Sequence, residues 1–407
     1  MEIQQVVPQY LGVIGFVITQ AIQPLSYHFL VGHLISTPQQ SSLFDITSYQ
    51  YNIYKFHHWT LWFDIFYLIQ GINCYLIFKS FGQYKYKAIL YQASWYCRYL
   101  IQYILLIVLL SFLPNNEYHF SISGFLLLQS CQQPYFDVYD LIAVQSQLFQ
   151  GFTCLYGCIL LEKYFNVRKM IIFVLSTILF VRFVYILNML IQGSFSQFQQ
   201  ESVMGQVFQQ QFPLFWGFFY SYSLDTGLIK KRKFSKKYSP DLIITLIFSV
   251  LYVYCQFITR FELHELQIKS NILIILSYTF ARPFLPIFYS FIIYFLDDAP
   301  IMKILINNKL FQLIQKEFDF IGSSFILFSK VTLAYIQNVE FGPFDDLIVM
   351  FIKNGAIVFT IIIGMLISKL ANPTLHRINC YLKDIEKNIQ KKQAFTPYNR
   401  SIEKYSE

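Results

Sequence analysis

The stretch EKYFNVRKMIIFVLSTILFVRFVYILNMLI, residues 162–191, decides how the rest of the chain is read. Lys163, Arg168 and Lys169 precede an apolar run over 170–191 that carries one charge, Arg182. About 20 apolar residues cross about 30 Å of hydrocarbon as a helix, so this stretch reads as a membrane span with a cationic end. Working outward, comparable stretches lie near 10–31, 59–79, 99–113, 141–161, 208–224, 241–259, 272–296, 320–337 and 347–369. The expected architecture is an all-α integral membrane protein, about ten transmembrane helices in one bundle.

Composition agrees. Of 407 residues, 55% are hydrophobic and 13% charged, whereas a soluble domain carries about 25% charged residues. The net charge of +8 is not the footprint of a nucleic-acid binder, because the cations cluster in alternate gaps between the apolar runs. Lys79, Lys85, Lys87 and Arg98 fill one gap; Lys230, Lys231, Arg232, Lys233, Lys236 and Lys237 fill another. Lys303, Lys309 and Lys316 follow, then a tail holding Arg377, Lys383, Lys387, Lys391 and Lys392. The intervening gaps carry Asp45, Glu117, Asp137, Glu201, Glu262 and Asp345 instead. The positive-inside rule then makes both termini cytoplasmic and the protein multi-pass, in an endomembrane or the plasma membrane.

One membrane domain over 1–385 and a polar cytoplasmic tail over 386–407 account for the chain, the residues from 382 onward reading as mobile. The segment 299–316 reads as a helix on the cytoplasmic surface. The seven cysteines show no CxxC pair and no metal-like spacing with histidine, so no metal site is expected. Cys154 and Cys158 share a helix face, a pattern of packing more than of chemistry.

Ionisable groups inside spans are costly and mark candidate sites. Asp64, Arg182, Arg282, Lys330 and Lys353 are such groups, with Arg98 at the cytoplasmic mouth of the third span. Lys353 is near enough to a boundary to snorkel; Lys330 and Arg182 fit either an interhelical pair or a site. Arg282 precedes Pro283, whose ring frees a backbone carbonyl in the same apolar stretch. Asp64 lies two turns before Gly71, where a neighbouring helix can come close, and it would pair with such an arginine. His28 and His33 lie at the far end of the first span, and Gly32 leaves room beside His33. An imidazole there is either a packed interfacial residue or a proton acceptor for an alcohol.

The order of these features resembles the acyltransferase-3 superfamily, in its nose-resistant-to-fluoxetine-like branch, over residues 20–385. Leu25-Ser26 through Gly32-His33 is similar to that family's first span, and Phe63-Asp64 through Gln70-Gly71 to its second, with Gln70 for a serine. Trp95 through Gln102 keeps the first arginine of an RxxxR pattern, Arg98. Gln211 through Gly217, Ala281-Arg282-Pro283, Phe320 through Phe325 and Ala371-Asn372-Pro373 follow in the family's order. Gln23 and Gln102 stand where the family has arginines, and glutamine cannot supply their charge to a phosphate.

The resemblance implies an O-acyltransferase, acting on acyl groups other than aminoacyl, that moves an acyl group from acyl-CoA to an acceptor hydroxyl in the bilayer. Acyl-CoA is then a co-substrate, and no cofactor is expected. On that reading His33 is the general base, Asp64 orients it or an arginine, and Arg98 and Arg282 bind the donor. The two glutamines and the missing histidine of the ninth-span motif favour the alternative, a non-catalytic member of the fold that binds or moves lipid. A third reading is a structural subunit with partners in a membrane complex.

Overall fold

The computed structural model describes residues 59–81, 86–111, 122–126, 139–161, 164–192, 207–230, 239–262, 271–276, 279–280, 282–296, 309 and 345–394. The first and ninth expected spans and the segment 299–316, apart from Lys309, lie outside them, as does His33. Among the described residues every regular element is a helix. They are α1 (Trp59–Phe81), α2 (Tyr86–Ser111), α3 (Ile122–Phe125), α4 (Tyr139–Leu160) and α5 (Val167–Ile191). After these come α6 (Val207–Asp225), α7 (Pro240–Glu262), α8 (Asn271–Leu276), α9 (Arg282–Leu296) and α10 (Asp345–Ala394).

Of these, one helix, Val167–Asn188, is long and apolar enough by length and composition to cross a membrane; Pro240–Leu251 and Pro283–Phe295 are shorter apolar helices. Asn166 starts α5, its side-chain oxygen accepting from the Arg168 and Lys169 amides, the ordinary way an N-cap satisfies amides that lack intrahelical partners.

α6 is the hub, packing on α1, α4, α5 and α9. The α1–α6 pair also divides the core. On one side Tyr67, Cys74, Tyr75, Phe215 and Phe218 join residues of α2, α4 and α5. On the other, Leu68, Ile72 and Tyr220 meet Ile244, Leu251, Leu285, Tyr289 and Ile292. The two helices run parallel, because Gly71 faces Leu214 and Phe218 while Tyr75 and Lys79 reach Asp225. α4 is parallel to both, since Tyr67 meets Gln147 and Gly151 meets Leu214.

α2 runs the opposite way. Gln92 donates to the Phe149 carbonyl (3.2 Å) and the Thr153 hydroxyl (3.1 Å), and Trp95 stacks on Phe149 at 5.8 Å. Residues 86–98, expected to lie in a cytoplasmic gap, form the first half of α2. Aromatic and apolar residues in that segment outnumber its charges, and a helix half-buries Leu90, Tyr91, Trp95 and Tyr96 while it packs on α4 and α10.

α10 spans 50 residues, about 75 Å at 1.5 Å per residue, and includes residues expected to be mobile. Its buried positions Gly364, Ser368, Ala371 and Leu375 recur at steps of four, three and four, and the half-buried Ile378, Leu382, Ile385 and Ile389 continue the stripe. A seven-residue repeat keeps one seam facing a partner helix. That partner is α2: Ile101 packs on Ala371 and Leu375, Ser94 bonds Asn379 at 2.7 Å, and Lys87 pairs with Glu386 at 3.0 Å. The tail is thus helical through Ala394, since hydropathy averaged over polar residues hides this stripe.

Large apolar side chains also face outward, while several polar groups lie inside. Phe173 (70% exposed) and Phe180 point outward from α5, as Leu242, Leu246, Val250 and Val253 do from α7, while Arg182 is 4% exposed. Asp64, Gln102, Gln147 and Gln211 are buried as well. Contiguous apolar surface on this scale marks contact with lipid or protein.

Candidate functional site: a buried polar layer across the helices

The buried polar groups form a layer because three glycines let the helices close up. A Cβ at Gly71 would overlap the Leu214 carbonyl, one at Gly217 the Leu68 carbonyl, and one at Gly151 the Gln211 amide. With backbones this near, short polar side chains bridge helices. The Tyr67 hydroxyl donates to the Gln147 side-chain oxygen, and Gln211 Nε2 donates to the Gln147 carbonyl at 2.8 Å. Gln211 Oε1 and Gln102 Nε2 are buried with no hydrogen-bond partner among the described residues. Asp64 lies one turn before Tyr67, on the same face of α1.

Two of the sequence-derived site residues, Asp64 and Arg98, come to this level. The α2–α4 pairs are antiparallel, and continuing them by helical rise sets Arg98 level with Gln147 and Gln102 level with the turn containing Asp64. Arg98 was expected at the cytoplasmic mouth. It lies twelve residues beyond Tyr86, about 18 Å into α2, and is half-buried. α2 begins at Tyr86, thirteen residues before the apolar run expected from residue 99. Arg282 is the first residue of α9. Trp216 donates to Ser290 at 2.8 Å, and Ser290 donates to the Pro286 carbonyl at 2.7 Å. Tyr294, further along α9, donates to the Lys230 carbonyl beyond the end of α6 at 3.1 Å, so the two helices run parallel and the start of α9 falls within about one turn of the level of Asp64.

Tyr67, Gln147 and Gln211 were not singled out from the sequence. Their signal was present, as polar groups inside apolar runs, but a neutral amide carries less desolvation cost than a charge and stands out less.

At the other end of the α1–α6 pair, Lys79 and Asp225 form an ion pair, and Tyr75 donates to Asp225 Oδ2 at 2.7 Å. The Lys79 ammonium chiefly, and then the Tyr75 hydroxyl, hold the Asp225 carboxyl below its ordinary value. A depressed carboxylate stabilises the fold above its unfolded value, near pH 4, and loses that contribution as pH falls through the folded value. Asp225→Asn is therefore expected to cost about 0.5–1 kcal/mol at pH 7, as for partly exposed pairs. The difference from wild type should narrow as pH falls below about 4. Thermal midpoints of both proteins between pH 7 and 3 test this, and a gap independent of pH would refute it.

Comparison of the chain with protein-family models, with curated proteins and with solved structures gives no match.

Proposed function

We propose that this protein is a multi-pass membrane-embedded acyltransferase that moves an acyl group from acyl-CoA to an acceptor hydroxyl. The observation carrying this reading is the common level of Asp64, Arg98 and the start of α9 inside the bundle. Helix directions support the membrane topology: α1, α4, α6 and α9 run one way and α2 the other. The sequence-derived spans two, four, six and eight, against three, require that alternation. Outward phenylalanines and valines with inward amides and charges suit a bundle solvated by lipid. The resemblance to the acyltransferase-3 superfamily supplies the reaction class.

In this mechanism the acceptor oxygen attacks the thioester carbonyl, the C–S bond breaks, and the coenzyme leaves as its thiol. His33 takes the hydroxyl proton and returns it to the departing sulfur. Arg98 and Arg282 bind the donor's anionic groups, and Asp64 orients the base or a guanidinium.

The test is transfer of labelled acyl groups from acyl-CoA by the full chain in membranes. His33→Ala is expected to lower the rate about 10²–10⁴-fold while membrane insertion is unchanged. Retained transfer would remove His33 from the mechanism. Labelled lipid or acyl-CoA bound without product would establish the lipid-binding reading instead, and co-purification with fixed partners in equal amounts the subunit reading.

A further inference from the structure

Residues 370–394 follow the last apolar run, and α10 carries them as helix to Ala394. That continuation gives meaning to a spacing that has none in an irregular tail. His376 and Cys380 stand four apart, one turn above the other on the same face. The Cys380 sulfur lies 3.6 Å from His376 Nε2. Both residues are exposed, as are Arg377, Lys383 and Asp384 around them, so this flank of α10 is polar and open to ions.

The distance discriminates between metals. On one tetrahedral Zn²⁺, with Zn–S about 2.3 Å and Zn–N about 2.0–2.1 Å, a sulfur and a nitrogen ligand stand about 3.5–3.6 Å apart. Neighbouring ligands of a square-planar ion with the same bond lengths would stand about 3.1 Å apart. A thiolate beside an imidazole is also a donor set that suits zinc and not the oxygen-seeking ions. Among the described residues no group of three or more histidines, cysteines and carboxylates could hold a metal. Asp384 is eight residues from His376, about 12 Å along the axis, and it pairs with Lys387 at 3.7 Å. Two protein ligands leave two positions for water, whereas a structural zinc site closes all four. Such an ion exchanges.

We propose that His376 and Cys380 form a two-ligand site for an exchangeable zinc ion on the exposed flank of α10. On binding, the Cys380 thiol gives its proton to solvent. Its sulfur and His376 Nε2 each supply a lone pair, with no change of oxidation state. Arg377, Lys383 and Lys387 oppose the ion's charge and Asp384 favours it. Half the ligands of a structural site set an expected dissociation constant of roughly 1–200 µM at neutral pH. The proposal stands apart from the acyl-transfer reading, which uses neither residue.

The untagged full chain in detergent is titrated with Co²⁺, whose bond to a thiolate absorbs in the near ultraviolet, and the bound Co²⁺ is then displaced with Zn²⁺. The difference between wild type and Cys380→Ser should correspond to one thiolate-bound Co²⁺ per chain, lost on adding Zn²⁺. His376→Ala should weaken that binding about tenfold or more. Cys154→Ser combined with Cys158→Ser should leave it unchanged, which separates this site from the other pair of thiols four residues apart. All four positions are at least partly exposed, and thermal midpoints equal to wild type show that the fold is kept. Identical spectra for wild type and Cys380→Ser overturn the proposal. So does an affinity that His376→Ala leaves unchanged.

Discussion

Gly71→Ala and Gly217→Ala are each expected to destabilise the protein by about 3 kcal/mol or more, at the upper end of overpacking costs. The added methyl at 71 would overlap the Leu214 carbonyl, and at 217 the Leu68 carbonyl. Both obstacles are backbone atoms, so no side-chain rotation relieves them and the α1–α6 pair must separate. Both cores then suffer, because α1 and α6 contribute to the clusters on either side of their contact. Either substitution alone opens the same contact, so the double variant should cost little more than one of them. Gly157 is the control: nothing lies within 4 Å of its added methyl. Gly157→Ala should be neutral or stabilise by up to about 1 kcal/mol through helix propensity. Thermal midpoints and the yield of monodisperse protein in detergent read these effects. A wild-type midpoint for Gly71→Ala would mean that the helices are not in contact there.

The second large effect belongs to the bond that ties α1 to α4. Gln147→Leu removes the side-chain oxygen that accepts from the buried Tyr67 hydroxyl, at a cost of about 1–3 kcal/mol. Tyr67→Phe leaves the Gln147 side-chain oxygen without its donor, at a similar cost. Replacing both removes the demand along with the supply, so Tyr67→Phe combined with Gln147→Leu should be less destabilised than the sum of the single changes by about 1–3 kcal/mol. The Gln211 bond survives throughout, because it is made to the backbone carbonyl of residue 147. Chemical or thermal unfolding of the four proteins gives the coupling directly. Strict additivity would show that the two side chains do not interact.

The same layer shows why parts of the site could be read early and others could not. Asp64 and Arg98 announce themselves, since an ionised group in an apolar run needs a compensating environment. Their common level depends on how far α2 slides along α4, and that slide is set by Gln92, Trp95 and Phe149 meeting across the interface. No spacing within either helix encodes it. Thr279 is quieter still: threonine is unremarkable in an apolar stretch until its hydroxyl is found fully buried.

Pattern alone determined that the chain is helical, where most of the helices lie, and which way their ends are charged. Those properties follow from residues near one another along the backbone, summed over a few turns. α5 and α6 needed nothing more, their ends at Val167, Ile191, Val207 and Asp225 falling within three residues of the apolar runs. The tertiary structure alone decided that Gly71 and Gly217 pack into each other's helix, that α2 starts at Tyr86, and that α10 continues to Ala394. The physical reason is common to all three: a helix extends or approaches another according to what surface its neighbour offers for burial, and that surface comes from residues far away in the chain.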